Sequence, residues 1–366
     1  WCPKCATAIE DIEMEYEERK EKLYFIKYKI QGSDEYIAIA TARPETIAAD
    51  VAIAIYPKHP KYAKYLGKQA ENPFAHTLLP IIEDKRVEKD FGSGALKITP
   101  GHDLLDFEIG KDHTLPILHV VDKTGHITDL DPNLSGLKVF EAREKAAQLL
   151  RDQGLIEKEE DYTHSVPVCE RCKTVVEPLI SEEWFVKMKP IAQKALKHIK
   201  EVNFVTKNYL GILTKWMEEI HDWSISRSLW WGHRIPVWYC QKCNPNHLVG
   251  KDKDMVISLE EPGKNCQTCG QKHWVQDEQV LDTWFSSGLW PMATLGWPTE
   301  TQELERYYPW DFETSAPEIK FLWIARMIML GLWFKDQIPF KNMFFHGMLR
   351  DLQGRKFSKS LGNGIN

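Results

Sequence analysis

Apolar and β-prone residues fill Leu23 to Ile30, broken only by Lys27 and Lys29, and fill Tyr36 to Thr41 on the other side of Gly32-Ser33, which predicts two strands around a turn. Three more β-branched runs, Val51 to Tyr56, Ala95 to Thr99 and Ile117 to Val121, predict further strands. Helical spacing sets in at Phe140, continues to Gln153 and stops at Gly154. After Pro178 the pattern changes. Ser181 is placed to cap a helix reaching Lys200, and a second helix covers Tyr209 to Ile220. Short apolar strands at Gln279 to Leu281 and Met343 to Phe345 then flank a helix from Glu318 to Phe334. A mixed α/β region followed by parallel-sheet alternation is the α/β fold class these segments predict. The most apolar run, Ile319 to Phe334, contains Lys320 and Arg326 and falls short of the ~20 residues of a membrane span. It reads as a buried core helix, and no membrane partner is expected.

At 366 residues the chain exceeds one ordinary core, so two or three domains are expected. With 43% hydrophobic and 27% charged residues it has the composition of a globular protein and no low-complexity tract. A net charge of −6 neither requires nor excludes a nucleic-acid partner, because a basic groove can sit on an acidic protein. Several of the 14 tryptophans fall between Trp184 and Trp238, which suggests aromatic-walled pockets; Trp230 is expected in plain core packing.

All eight cysteines lie in Cys-x-x-Cys pairs: Cys2/Cys5, Cys169/Cys172, Cys240/Cys243 and Cys266/Cys269. Two such pairs make a tetrahedral four-thiolate site suited to Zn²⁺. Cys240, Cys243, Cys266 and Cys269, with a spacer of 22 residues, form a compact ribbon over 238–276. Cys2, Cys5, Cys169 and Cys172 enclose 163 residues, so a second zinc would tie the two ends of that segment together at a stem of residues 1–22 and 160–180. Free or disulfide-bonded cysteines without metal, an iron–sulfur cluster and cross-pairing between the sets are the alternatives. Both zinc sites are expected to be structural, since four thiolates leave no open position. Metal-type pairs and the absence of a signal-peptide pattern fit a reducing cytoplasm.

Two stretches concentrate polar groups beside strands. In Thr41-Ala42-Arg43-Pro44-Glu45-Thr46 the proline fixes the backbone just after a strand, so Arg43 and Glu45 are presented from a rigid loop. In Phe91 to Glu108, Lys97 and Thr99 alternate onto one strand face, and Asp103 and Asp106 share a face at i, i+3. By themselves they fit a turn with solvated ion pairs as well as a site. Both stretches resemble the TTRPET and GTGALKITPAHDxxDFE signatures of the editing domain of valyl-type class I aminoacyl-tRNA synthetases. Ala42, Ser93 and Gly101 depart from that pattern, and Ala42 weakens the case for contacts near the adenosine. The resemblance implies that Asp106 binds the α-ammonium of a mischarged threonine. It implies that Asp103, Lys97 and Thr99 read its hydroxyl and position water, and that Arg43 and Phe91 hold the terminal adenosine of the tRNA. Glu45 rather than Asp separates the motif from the leucyl enzymes and is placed with the substrate-binding residues.

Asp222 to Pro236 resembles the DWxISRQLWWGHRIP stretch of the same enzymes, and Leu281 to Ser287 their LDTWFSS. This implies that Trp231, Val280 and Trp284 wall the valine side chain and that Asp282 sits near its ammonium. His346 and Gly347, after an apolar strand, are implied to pack on the adenine of ATP, with Glu318 a weaker ribose contact. Lys356-Phe357-Ser358-Lys359-Ser360 is similar to the KMSKS loop, whose lysines, here Lys356 and Lys359, follow charge as pyrophosphate leaves.

The expected architecture is a mixed α/β editing domain (23–159) inserted into a class I Rossmann-type parallel-sheet catalytic domain, whose second half is 181–366, with the two zinc knuckle sites. Expected substrates and partners are valine, ATP with Mg²⁺, tRNA(Val), and threonine as the edited amino acid, in a protein monomeric at full length. A HIGH-type motif is not among these residues, so the resemblance implies an internal segment that does not activate valine alone. A leucyl or isoleucyl relative, or a tRNA-docking module without catalysis, are the competing readings.

Overall fold

The computed structural model describes residues 1–10, 13–247, 253–357 and 362–364. The chain forms two compact units, Trp1–Glu182 and Glu183–Asn366.

In the first unit the elements run β1 Met14–Lys29, β2 Tyr36–Thr41, β3 Ala52–Ile55, β4 Gln69–Glu71, β5 Leu78–Glu83, β6 Ala95–Ile98, α1 Leu104–Asp112, α2 Val139–Asp152 and β7 Ile156–Cys169. They make an antiparallel sheet ordered β2-β1-β7 and a mixed sheet ordered β4-β5-β3-β6. Between them lies one apolar core that includes Ile26, Tyr28, Ile39, Ile47, Ile53 and Ile81. The α2 helix adds Ala142, Ala146 and Leu150, spaced by four, so that one helix face meets the core and small residues let it approach closely. Each fully buried Ile contributes ~1.5–3 kcal/mol.

Strand β1 begins at Met14 rather than at the expected Leu23, and pairs with β7 from Met14↔Cys169 onward, while β2 covers only Tyr24–Lys29. The first half of β1 is therefore a two-stranded ribbon, largely wet on both faces. Its sequence has no apolar alternation because neither face is a core face. Ile117 to Val121 is not a strand; only Val121 bridges Ile127. The amides of Val120 and Val121 are instead directed at the His102 ring, at 2.9 and 3.4 Å.

In the second unit Phe340–Phe345 lies between Trp310–Ser315 and Asn203–Phe204, all parallel. These three strands are the parallel sheet found among the described residues of this unit. Helices Met188–His198 and Asn208–Glu218 pack on the same core as the helix Ala325–Lys335. Ser181 does not cap the first of these: the short strand Phe185–Val186 intervenes, and Lys187 occupies the cap position. The expected helix from Glu318 opens as a 3₁₀ turn, Pro317–Ile319, and a wide π-type turn, Lys320–Ile324, before becoming α-helical. Val237–Cys240, Met255–Ile257 and Trp274–Gln276 form a separate antiparallel ribbon. Among the described residues no helix is long and apolar enough to cross a membrane.

Candidate active site

A cavity of about 460 Å³ opens in the first unit, and its walls bring together Arg43, Lys97, Thr99, Asp103 and Asp106. Local backbone chemistry places each of them. Thr41 ends β2, and its hydroxyl accepts the Arg43 amide at 3.0 Å; Pro44 then starts a 3₁₀ turn, Pro44–Ala49. Asp103 is the N-cap of α1, its Oδ1 accepting from the Asp106 amide at 3.0 Å. Asp106 Oδ2 in turn accepts from the Thr99 amide at 2.8 Å, which joins the end of β6 to the first turn of α1. Burial, with Asp103 beside it, pushes the Asp106 carboxyl up to about 7.

Lys97 is buried, and its ammonium donates to Thr46 Oγ1 at 2.8 Å, Asp50 Oδ1 at 2.9 Å and Thr99 Oγ1 at 2.6 Å. That exhausts its three donors, so a ligand hydroxyl meets this cluster through Thr99, or by exchanging one of these bonds. Thr99 Oγ1 also donates to Asp50 Oδ1 at 2.7 Å, and Tyr28 donates to Asp50 Oδ2 at 2.6 Å. Burial raises the Asp50 carboxyl above its ordinary range, against the pull of Lys97, Thr99 and Tyr28. Asp50 was not among the residues singled out in the sequence. Its signal there is a carboxylate directly before the apolar strand Ala52–Ile55, a position that only a buried partner such as Lys97 explains.

Glu45 does not line the cavity. It is fully buried, with Arg43 Nε at 3.3 Å and Arg143 Nε and Nη2 at 3.1 and 2.9 Å. In this arrangement it holds two arginines rather than meeting a ligand. Arg43 also donates to Glu177 at 2.5 Å, and Arg143 to Glu21 at 2.8 Å, giving an ion-pair chain that the sequence spacing concealed. Phe91 lies outside the cavity lining, with its ring edge-on to Tyr162. His102 is in the wall, but its Nε2 accepts a backbone N–H, and burial together with Arg43 holds the ring down to about 3. It is a neutral structural imidazole at physiological pH.

In the second unit Trp231 is 83% exposed and Trp230 94%, so the expectation that Trp230 is core is incorrect. A Cβ on Gly232, at φ +152°, would lie 2.9 Å from a Val280 methyl, which keeps that turn free of side chains. Val280 is buried, and Trp284 sits on the short helix Thr283–Ser287. Asp282 caps that helix and is itself buried, Oδ2 accepting from Trp223 Nε1 at 3.1 Å and Arg227 Nη2 at 3.2 Å, with Arg326 at 3.6 Å. Glu318 and His346-Gly347 follow the carboxyl ends of two paired strands, since Ser315 pairs with Phe345. Lys356 is exposed on a turn bridged to Arg350, whereas Lys359 lies outside the described residues.

The eight cysteines are free thiols in two clusters, Cys2/Cys5/Cys169/Cys172 and Cys240/Cys243/Cys266/Cys269, each with all ligand atoms within 4.8 Å. The cross-pairing alternative is thereby set aside geometrically. Backbone amides point at sulfur in the knuckle manner, Cys5 N to Cys2 Sγ and Thr268 N to Cys266 Sγ, both at 3.4 Å. Four sulfurs at ~2.3 Å from one ion would stand ~3.8 Å apart, and the Cys240–Cys269 separation is 3.7 Å. The donor set fits zinc.

The family model for class I tRNA synthetases (I, L, M and V) matches residues 1–366. The chain belongs to the class I tRNA synthetases. Within that class it is 47% identical over its whole length to a valine–tRNA ligase of Thermotoga maritima, and 46% identical to those of Petrotoga mobilis and Carboxydothermus hydrogenoformans. It spans about 41% of the length of each. A solved Agrobacterium radiobacter LeuRS–tRNA complex aligns over 95% of this chain and 42% of its own, at 19% identity and a TM-score of 0.34, too distant to add to the assignment.

Proposed function

We infer that the first unit hydrolyses threonine from mischarged tRNA(Val), and that the second contributes to valine activation in the whole protein. The observation that carries the first part is the cavity in which Thr99, Lys97 and Asp106 converge. Valine and threonine are nearly isosteric, and an apolar pocket rejects the extra hydroxyl only weakly. A polar cavity sorts them the other way. Thr99 offers a hydroxyl to the substrate alcohol, and the Asp106 carboxylate offers a counter-charge to the α-ammonium. Water then attacks the ester carbonyl, the bond to the ribose oxygen breaks, and free threonine and a free 3′ end leave. Arg43, Asp103 and Phe91 are assigned to the terminal adenosine and the water, with Glu45 acting through Arg43.

The second unit is assigned valine binding, by Trp231, Val280 and Trp284, and part of the ATP·Mg²⁺ site, by Glu318, His346, Gly347, Lys356 and Lys359. Asp282, taken up by Arg227 and Arg326, acts on the ammonium only indirectly. Zinc in each four-cysteine cluster would supply structural cross-linking and no catalytic step. The test is hydrolysis of threonyl-tRNA(Val) by the chain and by Asp106→Ala. Loss of more than tenfold in the variant is expected, and equal rates would discard the assignment.

A further inference from the structure

A short run of chain joins the first four-cysteine cluster to the cavity. Strand β7 ends at Cys169, and the Cys169 amide donates to the Thr174 carbonyl at 2.9 Å, which closes the knuckle turn around Cys172. The chain then doubles back beside the end of β7. Val175 bridges Val168, and the Val176 amide donates to the Pro167 carbonyl at 3.0 Å. Val176 packs on Cys2 and Cys169 in one apolar cluster. Glu177 follows, and its amide donates at 2.9 Å to the carbonyl of Trp1, the residue before Cys2. Its backbone is thus held from both halves of the cluster, Cys2/Cys5 and Cys169/Cys172.

The Glu177 side chain belongs to the cavity wall. It is 4% exposed, and its carboxylate accepts from Arg43 Nη2 at 2.5 Å. The other contacts of that guanidinium are longer: Nε to Glu45 at 3.3 Å and Nη1 to the His102 carbonyl at 3.4 Å. Glu45 is also shared with Arg143, at 3.1 and 2.9 Å. Glu177 therefore makes the shortest charge-assisted bond to Arg43. A long side chain released from such a bond spreads over several rotamers. The position of Arg43 in the cavity accordingly follows the geometry of the knuckle that carries Glu177.

We propose that Glu177 is a positioning residue through which metal in the first four-cysteine cluster sets Arg43, so that metal occupancy there and ligand binding at Arg43 are linked. Linkage is reciprocal: what the metal adds to ligand binding, bound ligand adds to metal retention. The second cluster belongs to the other unit and shares none of these residues. The proposal rests on the proposed function only in taking an adenosine ester as the ligand.

The test reads Arg43 itself, by its rate of modification with phenylglyoxal, mapped by peptide mass spectrometry with no ligand present. Glu177→Gln keeps the shape, removes the charge and retains both zinc ions, and it raises the Arg43 rate roughly tenfold. Cys2→Ser raises it to a similar level, and Cys240→Ser leaves it as in the parent. Cys2→Ser with Glu177→Gln goes no further than either alone, because both break one path. Arg143, tied to Glu21 and Glu45, keeps its parental rate throughout, which separates a lost anchor from a loosened fold. Stripping the parent with a chelator and reloading zinc repeats the comparison without a substitution. Equal Arg43 rates in the parent and Glu177→Gln overturn the proposal, as do additive rises in the double variant.

The reverse direction uses the Cys240→Ser chain, which carries only the first zinc, and adenosine bearing threonine through a 3′ amide. The amide slows zinc release to a chelator about fivefold, and Glu177→Gln abolishes the slowing. An amide that binds without slowing release overturns the linkage. An amide that does not bind, with Arg43 rates still following the series, discards the adenosine-ester reading and leaves Glu177 as the link between metal and guanidinium.

Discussion

The Thr99 backbone amide donates to the Asp106 carboxyl at 2.8 Å, and this bond fixes the distance between the group proposed to meet an alcohol and the group proposed to meet an ammonium. The two are seven residues apart in sequence, on a strand end and a helix turn, and Asp103 sets the helix turn by capping it. Substrate sorting in the proposed reaction is a consequence of that spacing.

Asp106 makes stability depend on pH in a definite direction. Its folded value of about 7 lies above the ordinary 3.8, so between those values the folded state holds a proton that the unfolded state has lost. Stability therefore falls as pH rises through this window, by up to ~4 kcal/mol, and stays lower above it. Asp106→Asn keeps an acceptor for the Thr99 amide and removes the titration. It should be more stable than the parent in urea at pH 8 and indistinguishable near pH 4. A parent whose stability rises from pH 4 to 7 no less than the variant's would contradict this.

The same value governs binding. Below about 7 the carboxyl is protonated and offers no counter-charge, so kcat/KM for threonyl-tRNA(Val) should climb as pH rises toward 7. Asp106→Asn should lower the whole profile and remove that limb. A limb unchanged in the variant assigns it to another group.

Asp50 anchors Lys97, Thr99 and Tyr28 at once. Asp50→Ala leaves a buried ammonium with no carboxylate partner and should cost ~3–5 kcal/mol in chemical denaturation. Adding Lys97→Met should recover part of that loss. Strict additivity of the two substitutions would show that the pair is not coupled.

Each four-cysteine cluster should hold one zinc, so metal analysis of the chain should give two per molecule. Cys2→Ser and Cys240→Ser should each remove one, independently. The first should loosen the β1–β7 ribbon in hydrogen exchange, because Cys169 ends that ribbon. One zinc lost by both variants together would refute separate sites.

How much of this was legible in the sequence depended on burial. Strands rich in buried apolar residues, such as Tyr36–Thr41 and the Met343–Phe345 part of Phe340–Phe345, announced themselves as short apolar runs, and α2 by its spacing of apolar residues. The charged half of β1 did not, because a ribbon wet on both sides carries no such code. Arg43, Lys97, Thr99 and Asp106 were readable because they cluster in two short stretches that concentrate polar groups beside strands and resemble a known motif. Asp50, Arg143 and Glu177 were not, since they reach the site from other elements and their roles depend on distances that only folding sets. Trp230 misled for the opposite reason: a large apolar side chain usually signals core, and this one is exposed.

The most direct test is the ratio of hydrolysis rates of threonyl-tRNA(Val) and valyl-tRNA(Val) by this chain, measured side by side. A hydrogen-bonding cavity that recognises the alcohol predicts a preference for the threonyl ester of at least ~10², collapsing toward unity in Thr99→Val. Equal rates for the two esters in the parent chain would contradict it.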